Sequence, residues 1–344
     1  MLDKYGKIMD STVVDKIMVD SVVYFLIEGE TPLTMAKSAG LAVTEFAAEF
    51  QRLKPDAVIV IADRFESLAI AMAASYMNIP VAHLCGGDRV IGNVDDQVRH
   101  AVTKLSHLHL VTNRESFERI LRLGEQPFRI FEVGNPGLDR LLEVPVIDAA
   151  ELSICLGFTI VEGEPLVILI QHVISTEIDQ AYEQMKISLD AVSELGIKTI
   201  LSYPNSDAGG QQMIRAIHEY DSLPFLFVAK NIPRLEFVNL IRRASCLLGN
   251  SSAGILEAPL LKLPAINVGN RQRARLHAEN VQFIPHDKAQ IIAAIRRAIY
   301  DKSYRNSVAT CSNPYGDGKS SARVADILAE ISIDDTLLIK DITY

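Results

Sequence analysis

Gly249-Asn250-Ser251-Ser252 stands between a short apolar run, Cys246-Leu247-Leu248, and the helix-like stretch Ala253-Gly254-Ile255-Leu256-Glu257. A strand running into such a loop, with a helix starting at once, brings hydroxyls and free backbone N–H groups to one point. The helix dipole favours negative charge there, so the chemistry is that of holding a phosphate or diphosphate. Glu257, just over a turn into the helix, is placed to accept hydrogen bonds from a sugar hydroxyl beside that phosphate. One βα unit later, Asn270-Arg271-Gln272-Arg273-Ala274-Arg275 adds three cations suited to neutralising a diphosphate. The plainer alternative is an ordinary Ser N-cap followed by a solvated basic loop. The arginines shift the balance toward an anion site.

Other chemically capable residues also fall at the ends of apolar runs. Asp63, Arg64 and Glu66 follow the run ending at Ile61, and His83, Cys85 and Asp88 follow the next. Asp95, Asp96, Arg99 and His100 open the helix after that. His172 follows the run starting at Leu166, and Tyr203-Pro204-Asn205-Ser206-Asp207 follows the run ending at Ser202. Polar groups at five strand ends aim at one cleft, where open α/β sheets bind ligands. Asp95 or Asp96 could equally cap its helix, with Arg99 and His100 simply pairing with those acids. His107 and His109 flank a strand and read as structural, His218 and His286 as surface residues.

These groups need elements to hold them. An Ala-rich helix is predicted from Thr31-Pro32 to Leu53, then a fully apolar, buried parallel strand over 57–61. Helices over 65–77, 95–106 and 115–123 alternate with strands over 81–84, 108–111 and 130–133. Residues 141–165 carry little pattern. A second series has strands over 166–171, 199–202, 225–228, 246–248 and 265–268, with helices near 177–195, 210–220 and 235–243. A late helix over 320–331 is expected to cross back to the first domain. Strands alternating with helices predict two α/β domains of Rossmann type, facing one another across a cleft. The boundaries read as 1–142 for the first domain, 143–165 for a connection, 166–318 for the second domain, and 319–344 for the returning helix and tail. Gly316 to Lys319 reads as a connection rather than a phosphate-facing loop.

A chain of 344 residues is long enough for two cores. Its net charge of −9 argues against a sequence-independent nucleic-acid binder but allows an anionic small substrate held by local cations. Cys85, Cys155, Cys246 and Cys311 show no metal spacing and read as reduced thiols of a cytoplasmic protein, with Cys155 and Cys246 in the core. No signal-peptide pattern and no membrane-spanning run is visible, so no membrane partner is expected.

Asp63-Arg64-Phe65-Glu66, Gly86-Gly87-Asp88, Val94-Asp95-Asp96-Gln97-Val98-Arg99-His100, Tyr203-Pro204-Asn205, Gly249-Asn250-Ser251-Ser252-Ala253-Gly254 and Asn313-Pro314-Tyr315-Gly316-Asp317-Gly318-Lys319 follow in that order. In this the chain resembles the UDP-N-acetylglucosamine 2-epimerases, in particular the hydrolysing branch that opens sialic acid synthesis. The resemblance runs from about Tyr5 to Leu328. It implies a glycosyltransferase-B-like fold with UDP mainly on the second domain. Ser251 and Ser252 would hold the diphosphate, with Arg271 assisting, and Glu257 would bind the ribose. Tyr203, Asn205 and Arg275 belong to the same implied UDP-binding set. His172 would lie near the leaving-group oxygen, while Asp63, Asp95 and Asp96 would face the sugar. The implied reaction is elimination of UDP followed by hydration, giving N-acetylmannosamine, with no cofactor and no metal.

Three departures from the family pattern stand out. The family begins with a strand-helix-strand unit carrying a Gly-Thr-Arg-Ala-Asp-type loop, and this chain reads as lacking it. Exposed apolar sheet edges, with poor stability or compensating homo-oligomerisation as a dimer or tetramer, are therefore expected. Cys85 stands where many members carry Glu, and some relatives acting on bacterial diacetamido sugars carry His. A thiol is mostly neutral at pH 7, so the acid role moves to Asp88, Asp95 or Asp96, or the substrate differs. Gln171-His172-Val173-Ile174-Ser175 replaces a more usual His-Pro-Val-Thr. The competing functions are the same reaction on a UDP-diacetamido-trideoxyhexose, a glycosyltransferase, and a non-catalytic nucleotide-sugar binder.

Overall fold

The structure, a computed structural model, describes residues 18–28, 32–61, 64–89, 94–174, 176–204 and 209–343; the side chains of residues 32, 94 and 95 lie outside that description. The chain divides into two compact units, residues 1–133 with 322–344, and residues 134–321.

In the first unit, α1 (Pro32–Leu53), β1 (Val58–Ile61), α2 (Phe65–Tyr76), β2 (Val81–Leu84), α3 (Val94–Leu105), β3 (Leu108–Val111), α4 (Arg114–Arg122) and β4 (Ile130–Glu132) follow one another. The sheet runs β1-β2-β3-β4, all parallel. Alternate residues face opposite sides of a strand. Val60 and Val81 therefore join Phe50, Ala71, Ala74 and Val102 in one core layer. Ala82, Leu84, Leu108 and Leu110 face the other way and meet Val324 and Leu337. The β1 run was expected to be buried. It is the outer strand among the described residues, with Ile59 47% and Ile61 60% exposed. An apolar run reads alike whether or not a neighbour covers it.

The second unit contains α5 (Asp139–Glu143), α6 (Ala149–Leu156), β5 (Leu166–Ile170), α7 (Ala181–Leu195), β6 (Lys198–Ser202), α8 (Gly210–His218), β7 (Leu226–Ala229), α9 (Arg234–Arg243), β8 (Cys246–Gly249), α10 (Ala253–Leu256), β9 (Ala265–Val268), β10 (Val281–Ile284), α11 (Lys288–Tyr300) and α12 (Lys302–Thr310). All strands are parallel, in the order β10-β9-β8-β5-β6-β7. Val167, Leu169, Leu201 and Leu248 point to one layer, against Met185, Leu189, Met213 and Ile295 of α7, α8 and α11. Leu166, Ile168, Ile170 and Leu247 point to the other, against Leu152, Leu240 and Ile241 of α6 and α9.

Segment 143–165, expected as a connection, buries Ile147, Leu152 and Ile160 in this second core. Asp148 caps α6 by accepting from the Glu151 N–H, and Gly157 closes it at φ 66°. Cys155, expected in the core, is exposed on this helix while Leu152 faces inward; Cys246 is buried as expected. Strand β10 and helices α11 and α12 carried no reading in the sequence.

The chain passes between the units at 133/134 and again at 321/322. On the second unit's side these passages are fastened together. The Asn135 N–H donates to Tyr315 O (2.7 Å), and Asp139 accepts from the Ser320 and Ser321 N–H groups, capping α13 (Ser320–Glu330). Gly134 has φ 88°, and a Cβ there would stand 2.5 Å from Ser320 Oγ. Helix α13, then α14 (Asp335–Leu338), supply the Val324 and Leu337 side chains of the first core.

Candidate active site

The second unit's strand order reverses between β5 and β8, because the chain builds β6 and β7 outward on one side before returning to β8 on the other. At such a switch point the loops leaving two adjacent strands diverge and open a crevice. The β5 loop carries His172 and the β8 loop carries Asn250, Ser251 and Ser252. Asn250 is fully buried and joins them. Its Oδ1 accepts the His172 N–H (2.7 Å), its Nδ2 donates to His172 O (2.8 Å), and its own N–H donates to Ile170 O. Its carbonyl accepts from Arg271 Nη1 and Gln272 Nε2, each at 3.1 Å, which brings in the β9 loop. His172 and Arg271 thus meet on one buried residue, Asn250, and Ser251 follows it in the chain.

Gly249 makes this junction possible. Its φ is +120°, and a Cβ would lie 2.1 Å from Ile170 O. Ser251 Oγ accepts the Ala253 N–H at 3.3 Å, whereas Ser252, at the helix N-cap, makes no side-chain cap bond. The helix expected after the serines is a single short turn, α10, and Glu257 is its C-cap residue. Glu257 Oε1 accepts from Arg234 Nη1 (2.9 Å), the first residue of α9. Tyr203 packs against the core beneath α7 and α8 and sets its ring edge-on to His218 at 6.4 Å. Arg275 shares the β9 loop with Arg271, and its N–H donates to Gln272 O. Asn205 lies outside the described residues.

His286, read as a surface residue, is half-buried at the end of β10. Both its ring nitrogens are buried without a hydrogen-bond partner among the described residues, and burial lowers its pKa. A Cβ on Gly269 would lie 2.5 Å from its Nε2. His218 is exposed and pairs with Asp221.

In the first unit, the loop after β2 is held from several sides. Asp88 Oδ1 accepts from Thr112 Oγ1 and Ser116 Oγ, both at 2.6 Å. Arg99 Nη1 donates to Asp88 O (2.7 Å) and pairs with Asp96 Oδ1 (2.6 Å), and Arg119 donates to Gly87 O. Asp96 therefore takes the pairing with Arg99 that the sequence left open. Cys85 is partly buried at φ 61°, a left-handed conformation uncommon for a residue with a Cβ. Gly86 lies over the buried His83 ring, where a Cβ would meet Nδ1 at 2.8 Å. Asp95 lies on α3 with its side chain outside the described residues, and Asp63 lies outside them altogether.

Asn250 stands out in the sequence only as part of its motif, and Arg234 does not stand out at all. The first depends on a partner 78 residues away, the second on one 23 away. Only the Asn in the Gly-Asn-Ser-Ser motif offered a local signal.

The sequence model of a family described as UDP-N-acetylglucosamine 2-epimerase matches residues 3–329. The chain belongs to the UDP-N-acetylglucosamine 2-epimerase family. It is 34% identical over 340 residues to the UDP-N,N'-diacetylbacillosamine 2-epimerase (hydrolyzing) of Legionella pneumophila, covering 99% of this chain and 88% of that one. It is 32% identical over 273 residues to the UDP-N-acetylglucosamine 2-epimerase of Neisseria meningitidis, covering 79% and 70%. The crystal structure of UDP-GlcNAc 2-epimerase from Neisseria meningitidis bound to UDP-GlcNAc matches with a TM-score of 0.79, at 18% identity, over 94% of this chain and 89% of that one. That likeness concerns the fold: like this epimerase-family structure, the chain is α/β, with two parallel sheets of Rossmann type. Among the described residues of this family member, no helix is long and apolar enough to cross a membrane, and no three His, Cys, Asp or Glu residues group as a metal site.

Proposed function

We propose that this protein is a hydrolysing 2-epimerase of UDP-2-acetamido sugars. The observation that carries the reading is the joining of His172 and Arg271 through Asn250, next to Ser251, at the switch point, in a chain of this family. UDP binds there, its diphosphate on Ser251, Ser252 and Arg271 and its ribose on Glu257, and Tyr203, Asn205 and Arg275 are the further candidates for holding the nucleotide. A carboxylate takes the proton from C2 of the sugar. The C1–O bond breaks, and its electron pair leaves with the β-phosphate of UDP, stabilised by His172 and Arg271. Water then adds its hydroxyl to C1 of the glycal, and C2 regains a proton on the opposite face. The products are UDP and the free 2-epimeric sugar. Asp63, Asp88, Asp95 and Asp96 are the candidate carboxylates. Asp88 and Asp96 are already committed to loop contacts, so either would have to give up a hydrogen bond or ion pair to take the proton.

The leading substrate is UDP-N-acetylglucosamine, giving N-acetylmannosamine. A second reading, UDP-N,N'-diacetylbacillosamine, is favoured by the Legionella relative across 99% of this chain and by the small Cys85 where the resemblance expects Glu. The protein acts in the cytoplasm as a homo-oligomer.

The test is incubation with each UDP-sugar in D2O without acceptor, followed by proton NMR. Stoichiometric UDP and a 2-epimeric free sugar carrying deuterium at C2 are expected, and the faster substrate decides between the two sugars. UDP release only when an acceptor is supplied, or sugar without deuterium, would overturn the reading in favour of a glycosyltransferase or a simple hydrolase.

A further inference from the structure

We propose that Asn250 is the positioning residue of this site, setting His172 with its side chain and Arg271 with its main chain. The proposal deepens the epimerase reading and rests on it.

The two halves of Asn250 do separate work. The amide group makes a closed pair of hydrogen bonds with His172: Oδ1 accepts the N–H and Nδ2 donates to the carbonyl. Both backbone groups of His172 are thereby fixed across the crevice, from β8 to β5. A neutral, planar group with one acceptor and one donor at this spacing is what a carboxamide offers and a carboxylate does not. The main-chain carbonyl of Asn250 takes no part in this. It points to the β9 loop and receives Arg271 and Gln272. Any residue at position 250 keeps that carbonyl, but only Asn keeps the grip on His172.

His172, Asn250 and Arg271 reside on three loops whose strands lie side by side, β9-β8-β5. Asn250 sits on the middle one and is fully buried. His172 itself is only partly buried, so its ring has room to meet a ligand while its backbone is locked. Loss of the amide frees the His172 backbone, and a misplacement of about 1 Å at a reacting group costs on the order of 100-fold in rate. Arg271, held through the carbonyl, stays.

The consequence is a split between turnover and nucleotide binding. Asn250→Ala lowers kcat on the better UDP-sugar by about 100-fold while the Kd for UDP, by titration calorimetry, stays within about threefold. Asn250→Asp keeps the acceptor for the His172 N–H but sets a carboxylate oxygen against the His172 carbonyl, so its kcat falls as well; UDP binding certifies that each variant is folded. Adding Asn250→Ala to His172→Ala costs no further rate, because the side chain acts only through His172. A purely structural role would instead weaken UDP binding and turnover together, or make the double variant slower than His172→Ala by the full factor. Either result, or a fully active Asn250→Ala, overturns the proposal. A histidine-ring NMR signal, assigned to His172 by its loss in His172→Ala, tests positioning without turnover. It should shift on UDP addition in the wild type and fail to shift in Asn250→Ala; an equal shift in both overturns the proposal. If no UDP-sugar turns over, the epimerase reading fails and this signal still judges Asn250.

Discussion

Gly249 shows how much a single residue holds at this site. A methyl group there would overlap Ile170 O, the last carbonyl of the neighbouring strand, and the φ of +120° is a conformation in which side chains are strained. Gly249→Ala is expected to cost about 3–5 kcal/mol, adding backbone strain to overpacking of a central strand. Chemical denaturation reads this directly, and a loss below about 1 kcal/mol would show that β8 can move away from β5 cheaply. At the reacting groups, His172→Ala and Asp63→Asn should each lower kcat by about 100-fold or more. Unchanged rates in both would remove the site assignment. The residue types at this site were legible because strand-end loops in an α/β chain are short and their polar residues stand out. Their partners were not. Asp88 reads as a candidate acid, yet it accepts bonds from Thr112 and Ser116, 24 and 28 residues away, and no local spacing encodes such a contact. His286 reads as a surface residue because the Gly269 backbone that covers it comes from another strand.

Among the elements, the end of the chain is the one most firmly tied. Arg129 donates to Thr336, Leu337 and Ile339 carbonyls, and Lys340 Nζ donates to Thr103, Lys104 and Ser106 carbonyls at the end of α3. Lys340 also pairs at 2.8 Å with Glu125, which Lys104 and His109 contact too. Burial alone would raise the Glu125 carboxyl, but hydrogen bonds from His109, Lys104 and Lys340 outweigh it and hold the pKa at about 2. Lys340→Met leaves a buried carboxylate short of a partner and should cost about 3 kcal/mol. A change within experimental error would mean that Lys104 and His109 suffice. The same cluster makes the first unit acid-sensitive. Burial, with Lys340 and Arg129 nearby, lowers the His107 pKa to about 4, and its Nδ1 accepts the Val81 N–H. Below pH 6.5 the unfolded chain takes up a proton that the folded ring refuses, so stability falls from 6.5 toward 4. Glu125 adds a further loss between 4.5 and 2, because the unfolded carboxyl protonates first. His107→Asn, whose Oδ1 can take the Val81 N–H, should reduce the slope of unfolding free energy between pH 6.5 and 4. An unaltered slope would place the titration elsewhere, His109 being also lowered by burial. Helix and strand order was readable from apolar runs and their breaks. This tail was not, since four-residue α14 and the coil after it carry no period, and carbonyls accept a lysine whatever side chain they belong to.

Across the whole molecule, the two units have separate cores, and the chain passes between them only twice. The proposed UDP contacts Ser251, Ser252, Glu257 and Arg271 all belong to residues 134–321, while Lys340 and Glu125 belong to the other unit. A ligand that binds one folded unit stabilises that unit by mass action, by about 2.7 kcal/mol at a hundredfold excess over its Kd. For a unit of this size that corresponds to a rise of about 5–10 °C in Tm. Two calorimetric transitions are therefore expected, one raised by UDP and the other lowered by Lys340→Met, each insensitive to the other perturbation. The alternative is a molecule in which the twin passages couple the cores so tightly that they melt together. The fastening at Asn135–Tyr315 and Asp139–Ser320 lies on the second unit's side of both passages, but Asp139 caps the helix that carries Val324 into the first core, so this helix is the element through which any such coupling would run. A single transition moved by both UDP and Lys340→Met would show the coupling to be strong. UDP raising the transition that Lys340→Met lowers would put the nucleotide on the wrong unit and overturn the site.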